Sequence, residues 1–147
     1  MSEAISKRFQ YILCANKATD PAATAALFKD IAAEQTTFVL MQNGVGNEDP
    51  FRDAFPSCTI ISGVVWVGGV QGTPGVIKHT KNEDTQIGLF PNPKLEPSIE
   101  KERLNVFRDL MLNGGTRVDV EDNIQVQRWV SALREKMLWK LELLTDM

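Results

Sequence analysis

Lys17 and Asn43 each stand just past the end of a short apolar run, and that shared position gives their side chains a chemical use. Tyr11-Ile12-Leu13-Cys14-Ala15 runs into Asn16-Lys17, and Phe38-Val39-Leu40-Met41 runs into Gln42-Asn43-Gly44-Val45-Gly46. A lysine there offers a mobile ammonium to an anionic group. An asparagine offers an amide that donates on one side and accepts on the other. Between the two runs, Ala22 to Gln35 is rich in alanine and helical in its periodicity. A strand, a crossover helix and a parallel strand bind ligands beyond the carboxyl ends of the strands. Lys17 and Asn43 are therefore assigned to one ligand-binding edge. Each also has a plainer role, Lys17 as a solvated charge and Asn43-Gly44 as a turn in which both residues tolerate positive φ.

The elements that must hold this edge follow along the chain. Asp20-Pro21 reads as an N-cap and first helical residue, opening a helix whose apolar stripe includes Ala23, Leu27 and Ile31. Asn47 or Asp49 caps a short helix from Pro50 to Ala54, which Pro56 ends. Thr59 to Val67 is a third strand, with Gly68-Gly69 permitting a bend or bulge. Val76 to Thr80 and Thr85 to Leu89 are expected to pair as a hairpin around Lys81 to Asp84. Ser98 to Asn113 is amphipathic, with Leu104, Phe107, Leu110 and Met111 on one side, and it stops at Gly114-Gly115. Thr116 to Val120 reads as an edge strand. The last helix, from Asp122, carries Leu133, Met137, Leu141 and Leu144 on one stripe.

Composition sets the bounds. The 147 residues suit one domain, and sixteen basic against nineteen acidic side chains give a net charge of −3. With no basic stripe, nucleic acid is not an expected partner. No run reaches the roughly eighteen apolar residues of a membrane span, and the first thirty residues hold no signal-peptide core, so a soluble cytoplasmic protein is expected. Cys14 and Cys58 sit in apolar runs as buried reduced thiols, and with the single His79 they make no metal site.

The residues at these strand ends resemble ketopantoate reductase (2-dehydropantoate 2-reductase). Tyr11 to Ala18 is similar to the family's strand ending in a cofactor-contacting lysine, and Gln42 to Gly46 to its Asn-Gly-x-Gly turn, whose asparagine faces nicotinamide and substrate. Gly63 to His79 resembles the strand and hairpin that follow, and Asp122 to Trp129 the start of the inter-domain helix. The resemblance implies an α/β fold: an incomplete Rossmann-type parallel sheet with an added antiparallel hairpin, then a C-terminal helix. It implies residues 1–120 as a partial NADP-binding domain and 121–147 as the inter-domain helix. NADPH is the implied cofactor, with Lys17 and Asn43 contacting it, and a small 2-keto acid such as 2-dehydropantoate is the implied substrate.

The departures from the family are as informative. A Gly-x-Gly-x-x-Gly turn would lie upstream of Tyr11, where there are only ten residues, and the helical substrate domain would follow the chain's end. Weak or absent NADPH binding and an inactive isolated chain are therefore expected, the alternative being a non-catalytic truncated remnant that acts as an interaction module. The resemblance implies a catalytic lysine shortly after the tryptophan, but Trp129 is followed by Val130-Ser131, and serine holds that slot. Skipping Val130 to Arg134 restores the pattern with Lys136 as the implied proton donor. Five added helical residues turn a side chain by about 500°, a net rotation of about 140°. The strand Tyr11 to Ala15 would also lack a neighbour on one side, so self-association through its edge is expected.

Overall fold

A computed structural model describes residues 9–145, with the side chains at 81–83, 135 and 138–145 outside that description. The elements run β1 (Tyr11–Cys14), α1 (Pro21–Ala26), β2 (Thr37–Leu40), α2 (Glu48–Ala54), β3 (Thr59–Thr73), β4 (Val76–Phe90), α3 (Pro97–Asn113), β5 (Val118–Val120) and α4 (Ile124–Thr145). One five-stranded sheet has the order β1-β2-β3-β4-β5. β1, β2 and β3 are parallel, β4 is antiparallel to β3, and β5 is parallel to β4. This is the expected α/β architecture, a parallel sheet joined to an antiparallel pair and closed by a C-terminal helix.

Strand alternation divides the core between the two faces. Ile12, Cys14, Phe38, Leu40 and Ile60 face α1 and α2, where they meet Ala25 and Phe51. The Phe38 ring lies 5.3 Å from that of Phe51 and 4.6 Å from that of Phe55. Val39, Ile61 and Ile87 face α3 and meet Leu104 and Phe107. Because both its faces are covered, β2 is buried throughout, as continuous apolar parallel strands generally are.

The caps follow the sequence closely. Asp20 Oδ1 accepts from the Ala23 amide at 2.9 Å, and Pro21 opens α1. At the end of α3 the Gly115 amide donates to Leu112 and the Thr116 amide to Met111, while Gly115 has a φ of 86°. That is a Schellman ending, which favours glycine at the left-handed position.

Several expectations need correction. α1 stops at Ala26 with Ala25 buried, Phe28 and Ile31 pack inward from the turns that follow it, and Ala23 and Leu27 are exposed. Leu110 of α3 is likewise exposed. The largest difference concerns the hairpin. Lys81 to Asp84 is no turn but the middle of β4, and the chain reverses at Pro74-Gly75, where Gly75 has a φ of 81°. β3 continues through Gly68-Gly69 because register shifts there absorb the irregular glycines without ending the ladder. Beyond Trp66 the resulting ribbon is largely exposed. In α4 the inward residues are Ile124 and Arg128, while Leu133 and Met137 are exposed; Leu141 and Leu144 lie outside the described side chains. The apolar stripe therefore does not mark the docking face, because a cluster of oxygen acceptors at the end of the sheet draws an arginine inward instead.

Candidate functional site

The carboxyl ends of β1 and β2 lie side by side, and their polar residues are joined directly. Gln42 Nε2 donates to Asn16 Oδ1 at 3.1 Å, which ties the loop carrying Lys17 to the turn carrying Asn43. Lys17 and Asn43 are both exposed at this end of the sheet. The turn is held open by Gly44 and Gly46, with φ values of 105° and 77°, and Asn47 Nδ2 returns to the Asn43 carbonyl at 3.0 Å. Lys17 and Asn43 thus stand at the same end of the sheet, on segments joined by the Gln42–Asn16 bond.

Beneath this edge lies Arg128, a residue that the sequence does not single out. Its Nη2 donates to the Gln42 carbonyl and its Nη1 to the Gly63 carbonyl, each at 3.0 Å. Arg128 Nε lies 3.1 Å from Glu48 Oε1, as an ion pair without hydrogen-bond geometry. The same carboxylate oxygen accepts from Ser62 Oγ at 2.6 Å and from Gln125 Nε2 at 2.9 Å. Burial pulls the Arg128 pKa down and the Glu48 carboxylate pushes it back up. Arginine does not lose its proton in proteins, so a fully desolvated cation sits beneath the turn. The visible signal was a lone charged residue at helical spacing from Ile124, on the face opposite the apolar stripe.

Gln42, Asn43, Gly44, Gly63, Val64, Arg128 and Ser131 line a small cleft of about 10 Å³ at this point. Ser131 therefore meets the Asn43 turn, and Lys136 does not line the cleft and is exposed. Since α4 is helical through both positions, Lys136 lies about 140° around the axis from Ser131. Arg128 is the cleft's cation, and its guanidinium is already committed to two carbonyls and a carboxylate.

Residues 1–92 match the family model of ketopantoate reductase PanE/ApbA. The chain belongs to the ketopantoate reductase family. It is 34% identical over 93 residues to the 2-dehydropantoate 2-reductase of Pyrococcus abyssi, covering 63% of this chain and 28% of that protein. The crystal structure of 2-dehydropantoate 2-reductase from Methylococcus capsulatus superimposes with a TM-score of 0.61 at 26% identity, over 83% of this chain and 37% of its own. D-mandelate dehydrogenase in ternary complex with NADH and anilino(oxo)acetate shares the fold at a TM-score of 0.69 and 17% identity, over 85% of this chain and 38% of its own. The chain thus spans well under half the length of these family members.

Gln42 Oε1 is a buried acceptor without a hydrogen-bond partner among the described residues, and Asn43 and Lys17 are exposed at the same end of the sheet. An amide donor such as a carboxamide suits the first two, and an anionic or hydroxylated group suits the third. Among the described residues no group of His, Cys, Asp and Glu could hold a metal ion, and no helix is long and apolar enough to cross a membrane.

Proposed function

We propose that this chain carries the nicotinamide-side part of an NADPH-dependent reductase acting on 2-dehydropantoate or a related 2-keto acid. The observation that carries the reading is the Gln42–Asn16 hydrogen bond, which brings Asn43 and Lys17 to one edge of a family member's sheet. In this reading Asn43 orients the nicotinamide and the keto acid, and Lys17 contacts phosphate or ribose. Bound NADPH supplies the hydride. Residues 1–120 act as the Rossmann-type unit and α4 as the inter-domain helix, in a cytoplasmic protein.

Lys136 enters as the proton donor that the family pattern implies, able as an ammonium to protonate and stabilise a developing alkoxide. For that it must reach the cleft from an exposed position on another side of α4. A second reading is favoured by Ser131, which stands where the cleft would need its acid: the chain binds nucleotide or partners without turnover. Titration with NADPH while following the Asn43 side-chain amide signal tests the site. A saturable shift supports it, and no shift up to millimolar nucleotide removes it. Oxidation of NADPH that requires the keto acid then separates reductase from binder.

A further inference from the structure

We propose that Arg128 positions the Asn43 turn, so that ligand contact by Asn43 depends on the docking of α4. The inference rests on reading that turn as the nicotinamide contact. Arg128 holds the carbonyl of Gln42, the residue just before Asn43, and the carboxylate of Glu48, the first residue of the helix that follows the turn. One planar fork therefore grips the segment 42–48 from both sides, and its third contact, to Gly63, anchors that grip to β3. Arginine suits this task because its donors are fixed in one plane, whereas a lysine ammonium is a point charge on a flexible stem.

The turn also has one side-chain tie of its own, from Asn47 Nδ2 to the Asn43 carbonyl, but its backbone is intrinsically mobile. Gly44 and Gly46 occupy left-handed conformations, and glycine is the residue with most conformational freedom to lose. Arg128 is only 2% exposed and Glu48 only 1%, so water does not compete for these contacts while α4 is docked. The match to the family ends at residue 92, yet the group that shapes the turn arrives from α4. Binding competence is consequently a property of the sheet and α4 together.

The test is amide hydrogen exchange and ¹⁵N NMR on the full chain, comparing Arg128→Lys with Ile124→Ala. Ile124 is fully buried on the same face of α4 but touches neither end of the turn through a polar bond, so it reports helix docking alone. Arg128→Lys is expected to speed exchange at Gly44, Val45 and Gly46 about ten- to a hundredfold, the effect of one lost charge-assisted bond, while β2 amides stay protected. It should also shift the Asn43 side-chain amide signal and weaken that signal's response to NADPH about tenfold. Ile124→Ala should lower thermal stability without singling out residues 44–46. Glu48→Gln, which can still accept from Ser62 and Gln125, releases one side of the grip and should loosen Gly46 severalfold, deciding the matter if Arg128→Lys does not fold. Equal changes across 44–46 in the arginine and isoleucine variants, or none in Arg128→Lys and Glu48→Gln, would overturn the inference. A wild-type chain that ignores NADPH removes the nicotinamide reading, whereas the exchange comparison still decides whether Arg128 shapes the turn.

Discussion

Ser131 of α4 and Asn43 of the turn after β2 line the same cleft, so the side chain brought to the asparagine is a hydroxyl and not an ammonium. A hydroxyl brings no positive charge to a developing alkoxide, and the arginine beside it is buried and paired with the Glu48 carboxylate. The wild-type chain is therefore expected to oxidise NADPH with 2-dehydropantoate no faster than a protein-free control. Ser131→Lys should raise that rate measurably, read as keto-acid-dependent loss of absorbance. Turnover by the wild type that Lys136→Ala abolishes would instead make Lys136 the donor.

Calorimetric titration with NADPH should separate the two residues at the strand ends. Asn43→Ala is expected to weaken binding about two- to tenfold, the effect of one neutral hydrogen bond of about 0.5–1.5 kcal/mol. Lys17→Ala should have a larger effect at low salt than at high salt, since its exposed charge is screened by ions. Salt-independent losses in the lysine variant would argue against a contact with an anionic group.

How much of this was legible in the sequence depends on which interaction decided each element. Local signals sufficed for Asp20, Gly115 and the two strand ends, because a cap or a buried strand is written in adjacent residues. They failed where a distant partner decided the outcome. Lys81 to Asp84 is polar enough for a turn, yet the ladder to β3 keeps it extended and moves the reversal to Pro74-Gly75. The spacing of Arg128 from Ile124 marked its face of α4 but not its role, since its acceptors on Gln42 and Gly63 are backbone carbonyls far away in the chain. The α4 stripe misled because apolar spacing identifies a face without saying what covers it.

Gly88 lets α4 approach the sheet. A Cβ added there would lie 2.6 Å from the Glu121 carbonyl oxygen and 2.8 Å from Ile124 Cβ, distances at which something must shift. Gly88→Ala is expected to destabilise the chain by about 1–3 kcal/mol, as overpacking does. Its effect should fall on α4 first, visible as loss of the Arg134–Trp66 contact, 5.1 Å from guanidinium carbon to ring centroid, in Trp66 fluorescence. Thermal unfolding unchanged from wild type would mean that α4 is held more loosely than its packing implies.

Burial pushes the Cys14 thiol up to about 11 and raises that of Cys58 as well. In the unfolded chain both return to about 8.5. The folded state holds these protons more tightly, so their contribution to stability is complete below about pH 8.5 and is lost as pH rises towards the folded values. Denaturant midpoints should fall between pH 9 and 11, less so in Cys14→Ala. At pH 8 a thiol reagent should modify the folded chain slowly and the denatured chain rapidly.

The last prediction concerns the outer edge of β1. Among the described residues β1 pairs only with β2, and Tyr11 to Cys14 contains neither proline nor charge to discourage a further strand. Leu13 is 57% exposed beside this edge, and Tyr11, Thr37, Ile99, Arg103 and Val106 contribute to a groove of about 310 Å³ on the α3 side. Because Leu13 is exposed, a charge there can oppose strand pairing without entering the core. Sedimentation at rising concentration should therefore show self-association of the wild type and a monomer for Leu13→Lys. The variant's stability should stay within about 0.5 kcal/mol, as for other surface substitutions. A wild type that remains monodisperse throughout would mean that the backbone groups of β1 are covered within a single copy, and Leu13→Lys would then change neither mass nor yield.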